Sequence, residues 1–338
     1  MTITTPYEAD PAGDLTLLVG PDQRSIRVCS KVLSLASPVF AAMMGPKFAE
    51  GRALLGNQLS SPSPITISLP EDDVEAMVLF CTIIHFKEHA TPNVSFPVLE
   101  KLAFLCDKYD AARALSSASE VWMSPFPGSK DGESSFLKVL WISYALGNHR
   151  NFWKASRAIV QNYTRTDLLE QRHSIEDTAL PPRILDSIDA EREAHLRRFV
   201  TTLQTILIPH LTAQCPSHSL HGTINAACGH LMKSGHYIQE LHRLQLWPMP
   251  DSDSTKSLRD IYDRFYGLQR CPIVNPWCHN SQWDVAKIDC TQLLMTAGHE
   301  ILAKPVGLCL NCVRDGRIMR QDGNCQKQSL ELCKDIVG

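Results

Sequence analysis

No uninterrupted apolar run in this chain reaches the ~18 residues that a membrane-spanning helix needs, although 44% of its 338 residues are hydrophobic. Neither sign of charge dominates. There are 33 Lys and Arg against 36 Asp and Glu, a formal net charge of −3, so a broad basic face for nucleic acid is not expected. The glycine-rich phosphate loop, the G-x-S-x-G nucleophile turn and the H-E-x-x-H zinc motif are all missing. His299-Glu300 comes nearest to the last, but Ile301, Leu302 and Ala303 follow and the second histidine is lacking. No internal repeat of solenoid or propeller length is present. The stretch MTITTPYEADPAGD (1–14) has neither the basic start nor the apolar core of a secretory leader, so the expectation is an intracellular protein of nucleus or cytoplasm. In such a compartment the twelve cysteines are expected as thiols or metal ligands rather than disulfides. The length suits two domains.

What is present near the N-terminus is ordered alternation. In DLTLLV (14–19), Leu15, Leu17 and Val19 alternate with Thr16 and Leu18, as in a strand with one buried face. A polar turn at 21–25 precedes Ile26 and Val28, which resume the alternation. Ser30 is placed to cap a helix with apolar positions Val32, Leu33 and Leu35. Ser37 is placed to cap a second, with Pro38 in its first turn, followed by Val39, Phe40, Met43 and Met44 at helical spacing. Ile65, Ile67 and Leu69 alternate again up to Pro70, after which Asp72 or Asp73 can cap a helix carrying Val74, Met77, Val78 and Cys81. Glu71, Asp72, Asp73 and Glu75 read as a charged helix start favoured by the helix dipole. GNQLSSPSP (56–64) reads as a solvated loop.

Three segments carry a family likeness: SLASPVFAAMM (34–44), FAEG (48–51) and LEKLAFLCDKYDAARAL (99–115). With the strand before them, they resemble the BTB/POZ domain over residues 10–118. The family often has a histidine where this chain has Cys29. The resemblance implies an α+β protein-interaction domain that pairs with itself or with a partner through its N-terminal strand and first helix. Leu15, Leu17, Leu33 and Leu35 are the candidate interface, an apolar set larger than one small strand–helix unit is expected to hide. Some such domains dock a cullin-type ubiquitin-ligase scaffold through a hydrophobic-x-Glu triplet, which Phe48-Ala49-Glu50 fits. No substrate-recruiting repeat follows.

The second half reads as helical. MSPFPGSKDGESS (123–135) is a linker or long loop. Phe136, Val139, Leu140 and Ser143 mark one helix face ended by Gly147, and Phe152, Ala155, Ile159 and Val160 mark another. Pro181-Pro182-Arg183 breaks the chain, and from Ile188 the positions Leu196, Phe199, Val200, Leu203, Ile206 and Leu207 describe a longer amphipathic helix. Further helices are expected over 237–247, 258–267 and 285–302. GHYIQELHRLQLWP (235–248), SLRDIYDRF (257–265) and GLCLNCVRDG (307–316) resemble the long C-terminal regions of fungal BTB-containing proteins. The six tryptophans, Trp122, Trp141, Trp153, Trp247, Trp277 and Trp283, are expected as packing anchors.

Cysteine and histidine placement is the chemical signal in this half. Cys309 and Cys312 form a C-x2-C pair, half of a structural zinc site if Cys271 and Cys278 complete it. His279, Cys325 and Cys333 are further ligand candidates. Cys215, His218, His221, Cys228 and His230 form a second cluster. Three readings stay open: small buried thiols, a zinc site, and a redox pair, which would want a strand leading into a helix N-terminus. The fold expected is an α+β BTB/POZ-like domain (10–118) followed by a mainly helical region (135–338). The function expected is protein–protein association, homo- or hetero-oligomeric, with a cullin-type scaffold as a candidate partner and with neither nucleic acid nor membrane. No enzyme activity or cofactor is expected apart from the zinc just described. The competing reading is a regulator with a zinc site, or an enzyme activity carried by the helical tail.

Overall fold

Apolar residues on alternate positions force the first hairpin. Leu15, Leu17 and Val19 are fully buried in β2 (Leu15–Val19), as are Ile26 and Val28 in β3 (Arg24–Val28). The two strands pair antiparallel with Leu15 opposite Val28, turning through Gly20 and Gln23 at positive φ. β4 (Ile65–Leu69) lies parallel to β2 with Leu15 opposite Ile65, and β1 (Tyr7–Glu8) lies parallel to β3. The computed structural model describes residues 6–60, 64–87, 94–128, 130, 135–175, 180–212, 229–251, 253–268, 295–296, 298 and 307–315. Among them the sheet is a small mixed one of order β1-β3-β2-β4.

Helices cover this sheet and then extend away from it, making an α+β fold. Between β3 and β4 come α1 (Ser30–Ala36), α2 (Pro38–Met43) and α3 (Ala49–Ser60). Helix α3 runs into the segment expected as a solvated loop, so residues 56–60 are helical and only 61–63 lie outside the described residues. After β4 come α4 (Val74–Ile84), α5 (Phe96–Lys108) and α6 (Ala112–Met123). Asp73, not Asp72, caps α4 by accepting from Ala76 N at 3.0 Å. Burial works against the Asp73 carboxylate, but Lys101 at 2.8 Å and the helix N–H groups outweigh it and hold its pKa below the usual range.

The helices beyond residue 135 pack on these without a break in the core. α7 (Phe136–Ala145) lies on α5, and α8 (His149–Asn162) lies on α6 and α7. Asn148 makes that junction: its side chain caps α8 from Asn151 N and donates to Ser119 O in α6 at 3.0 Å, fully buried. Next come α9 (Arg165–Ile175), α10 (Pro182–Thr212), α11 (Gly229–Arg243), α12 (Leu258–Phe265) and α13 (Leu310–Arg314). Pro182 breaks the chain by starting α10, where its missing N–H costs nothing. Helix α11 starts before the expected residue 237 and ends at Arg243 rather than 247, and Leu246 then turns back to donate to Leu241 O. Buried apolar side chains form one continuous cluster from Ala9 to Val313. No helix among the described residues is long and apolar enough to cross a membrane.

Candidate protein-interaction surface

The α1–α2 unit is held by Tyr109, Asp14 and His85, which fixes what it can present. Ser37 caps α2 by accepting from Phe40 N at 3.0 Å and donates its own hydroxyl to Tyr109 O at the end of α5. Phe40 stacks on Tyr109, ring centroids 4.2 Å apart and 9° from parallel. The Tyr109 hydroxyl donates to Asp72 at 2.5 Å, and the other Asp72 oxygen pairs with Lys108 at 2.6 Å. Burial, then the Asp72 carboxylate, pushes the Tyr109 phenol well above its ordinary pKa, so it stays a donor. Asp72, read from the sequence as part of a charged helix start, is a buried acceptor (7% exposed).

Helix α1 is not capped by Ser30 as expected. Cys29 occupies the cap position without a side-chain bond. Ser30 is the first helical residue, and its N–H and hydroxyl donate to the two oxygens of Asp14 at 2.8 and 2.7 Å. His85 holds the other side, accepting from Cys29 N at Nε2 (3.0 Å). Its Nδ1 must then carry the proton, donated to Cys81 O at 2.9 Å. Burial depresses the His85 pKa, which keeps this acceptor available.

Of the four leucines proposed as an interface, Leu15, Leu17 and Leu33 are wholly buried in the chain's own core and offer nothing to a partner. For Leu15 and Leu17 the reason is the sheet, where β2 is flanked by β3 and β4; Leu33 is on α1, which packs on α4. Leu35 is the exception, 77% exposed on the outer side of α1. Val39, at the start of α2, is also exposed while its neighbour Phe40 fills the core. Phe48 is 50% exposed immediately before α3, and Glu50 sits half-buried in the first turn of that helix. Their position is set by contact between turn and helix: a Cβ on Gly51 would lie 2.0 Å from Gly45 O. Only glycine permits that approach.

The cysteines divide. Cys81 and Cys106 are buried, and burial pushes both thiols up, Cys106 to about 12. Cys309 occupies the cap position of α13 without a side-chain cap bond, and both it and Cys312 are half-buried. Cys271, Cys278, His279, Cys325 and Cys333 lie outside the described residues, as do Cys215, His218, His221 and Cys228. Among the described residues no group of three or more His, Cys, Asp or Glu is placed to hold a metal. Trp122 and Trp141 are core residues, Trp153 is half-buried, and Trp247 is exposed rather than an anchor. Trp277 and Trp283 lie outside the described residues.

Sequence reading missed the roles of Asp14 and His85, which act across 16 and 56 residues of chain. No local pattern announces a cap supplied from another element. No family model, curated protein or solved structure matches the chain.

Proposed function

We propose that this chain is a protein-interaction module of the BTB/POZ type that associates with itself or with a related chain through the outer side of α1 and α2. The observation that carries this reading is Leu35, a large apolar side chain left 77% exposed on a helix whose other contacts are fixed. Support comes also from the order hairpin, α1, α2, α3, β4, α4, which follows the expected order apart from the added helix α3. A rigid unit presenting Leu35 and Val39 loses little entropy on docking. Leu35→Asp should weaken self-association by about tenfold or more in sedimentation velocity, since a central apolar anchor can carry ~2 kcal/mol. It should leave thermal stability within roughly 0.5 kcal/mol, as for other exposed sites. A wild-type chain that stays monomeric at high concentration would count against the proposal.

Phe48 favours a second contact, to a cullin-type scaffold, because it is half exposed beside Glu50 rather than spent in the core. The double variant Phe48→Ala with Glu50→Lys should abolish capture of such a scaffold while self-association persists. A fall in melting temperature of several degrees in that variant would mean that the triplet serves the fold, and the contact would be ruled out.

A further inference from the structure

One segment near the end of the described chain is held as a peptide ligand is held. Residues 307–315 return from outside the described residues to lie along α8, 152 residues back in sequence from Leu308 to Ser156. The Leu308 N–H donates to Ser156 Oγ at 2.8 Å, a buried bond between the segment's backbone and a helix side chain. Gly307 passes so close to Trp153 that a Cβ would sit 2.3 Å from its carbonyl oxygen and 2.7 Å from its ring. Leu308, Leu310 and Val313 are buried. At the far end the Arg314 guanidinium donates to Tyr144 O at the close of α7 and lies over the Tyr144 ring, 5.3 Å from its centroid. The same charge acts on Asp107 and Cys106 at the end of α5.

We propose that the face formed by α7 and α8 is a peptide-binding groove, and that its resident occupant is the chain's own segment 307–315. The groove reads the pattern Gly-apolar-x-apolar-x-x-apolar-Arg. Glycine is demanded by the Trp153 backbone, a free N–H by Ser156, apolar side chains by the burial of Leu308, Leu310 and Val313, and a terminal guanidinium by the Tyr144 carbonyl near the end of α7. Arginine suits that last place because the helix C-terminus carries partial negative charge and the Tyr144 ring offers a π face. The segment is a short helix with its preceding residues, joined to α8 through Ser156 and to α7 through Tyr144, and the backbone ladders of α7 and α8 are complete within those helices, so its departure does not unravel them. Tethering makes it the favoured ligand, since a covalently linked ligand acts at roughly millimolar effective concentration.

The test uses the full chain and a fluorescein-labelled peptide of sequence GLCLNCVRD, residues 307–315. In wild type the groove is occupied in cis, so the labelled peptide should bind weakly. In the full-length variant Leu310→Asp with Arg314→Glu, it should bind at least about tenfold more tightly, and a peptide carrying Gly307→Val should not bind. Equal binding to wild type and variant, or none to a folded variant, overturns the proposal. Should the double variant fail to fold, hydrogen exchange on wild type decides. The amides of Leu308 and Val313 should exchange well before those of Phe152 and Ile159 in α8. Exchange at the same rate would make the segment part of the core and overturn the groove.

Discussion

Phe40→Ala should cost about 3–5 kcal/mol of unfolding free energy, the range for removing a fully buried aromatic side chain. Phe40 is 0% exposed and stacks on Tyr109, so the substitution removes both a packed volume and the ring that positions the Tyr109 hydroxyl against Asp72. Tyr109→Phe is the companion experiment. It keeps the stack and deletes the donor, leaving Asp72 buried with Lys108 as its remaining charged partner, and should cost roughly 1–3 kcal/mol. Because the two residues touch, their effects should be non-additive, with a coupling of about 0.5–3 kcal/mol in a double-mutant cycle. Urea denaturation followed by tryptophan fluorescence measures all three. A loss under about 1 kcal/mol for Phe40→Ala would mean that the stack does not anchor α2.

The N-terminal elements were legible because each announces itself within a few residues. Leu15, Leu17 and Val19 mark β2 by alternation, Ser37-Pro38 marks the start of α2, and Pro70 with Asp73 marks the passage from β4 to α4. The pair α7 and α8 could be read for the same reason, from Leu140, Phe152 and Ile159 at helical spacing. Helix α3 could not, since Gly56 and the Ser and Pro residues after it read as breakers, although residues up to Ser60 are helical. β1 was missed because two residues carry no periodicity; the edge of β3 and the Tyr7–Thr82 hydroxyl contact at 2.7 Å define it.

The candidate surface was legible only in part, and the division has a physical cause. Sequence pattern tells which residues are apolar, but whether an apolar residue is covered depends on partners far along the chain. Leu33 and Leu35 are two residues apart on one helix that packs on α4, yet the first is fully buried and the second is exposed. Phe48 and Phe40 differ in the same way. A helix of seven residues has too few turns for its buried stripe to be read reliably from composition alone.

Acid should destabilise this chain between pH 6.5 and about 4, chiefly through His195. This residue is 1% exposed within α10, and burial, reinforced by Arg198, pushes its pKa down from 6.5 to about 4. Arg198 donates to its Nδ1 at 2.6 Å, so the neutral ring carries its proton on Nε2, which is buried without a partner among the described residues. Protonating Nδ1 would break that bond and set two cations together. As pH falls through 6.5 the unfolded chain takes up a proton that the folded chain refuses until about pH 4, so stability is lost across that window. The shift corresponds to an upper limit of roughly 3 kcal/mol. His85 and His149 are depressed as well, mainly by burial, and act in the same direction. Glu191, 3.5 Å from His195, acts oppositely: burial raises its pKa, so the folded chain gains a proton there first. The lowered carboxyl groups of Asp73, Asp167 and Asp260 lose their contribution only as pH falls below about 3.8, outside the window. Melting temperature should therefore fall from pH 7 to pH 4.5, and His195→Gln, which cannot titrate, should flatten much of that slope. A wild-type melting temperature that holds level over this range would show that the buried ring accepts its second proton without cost, and the account of α10 would fail.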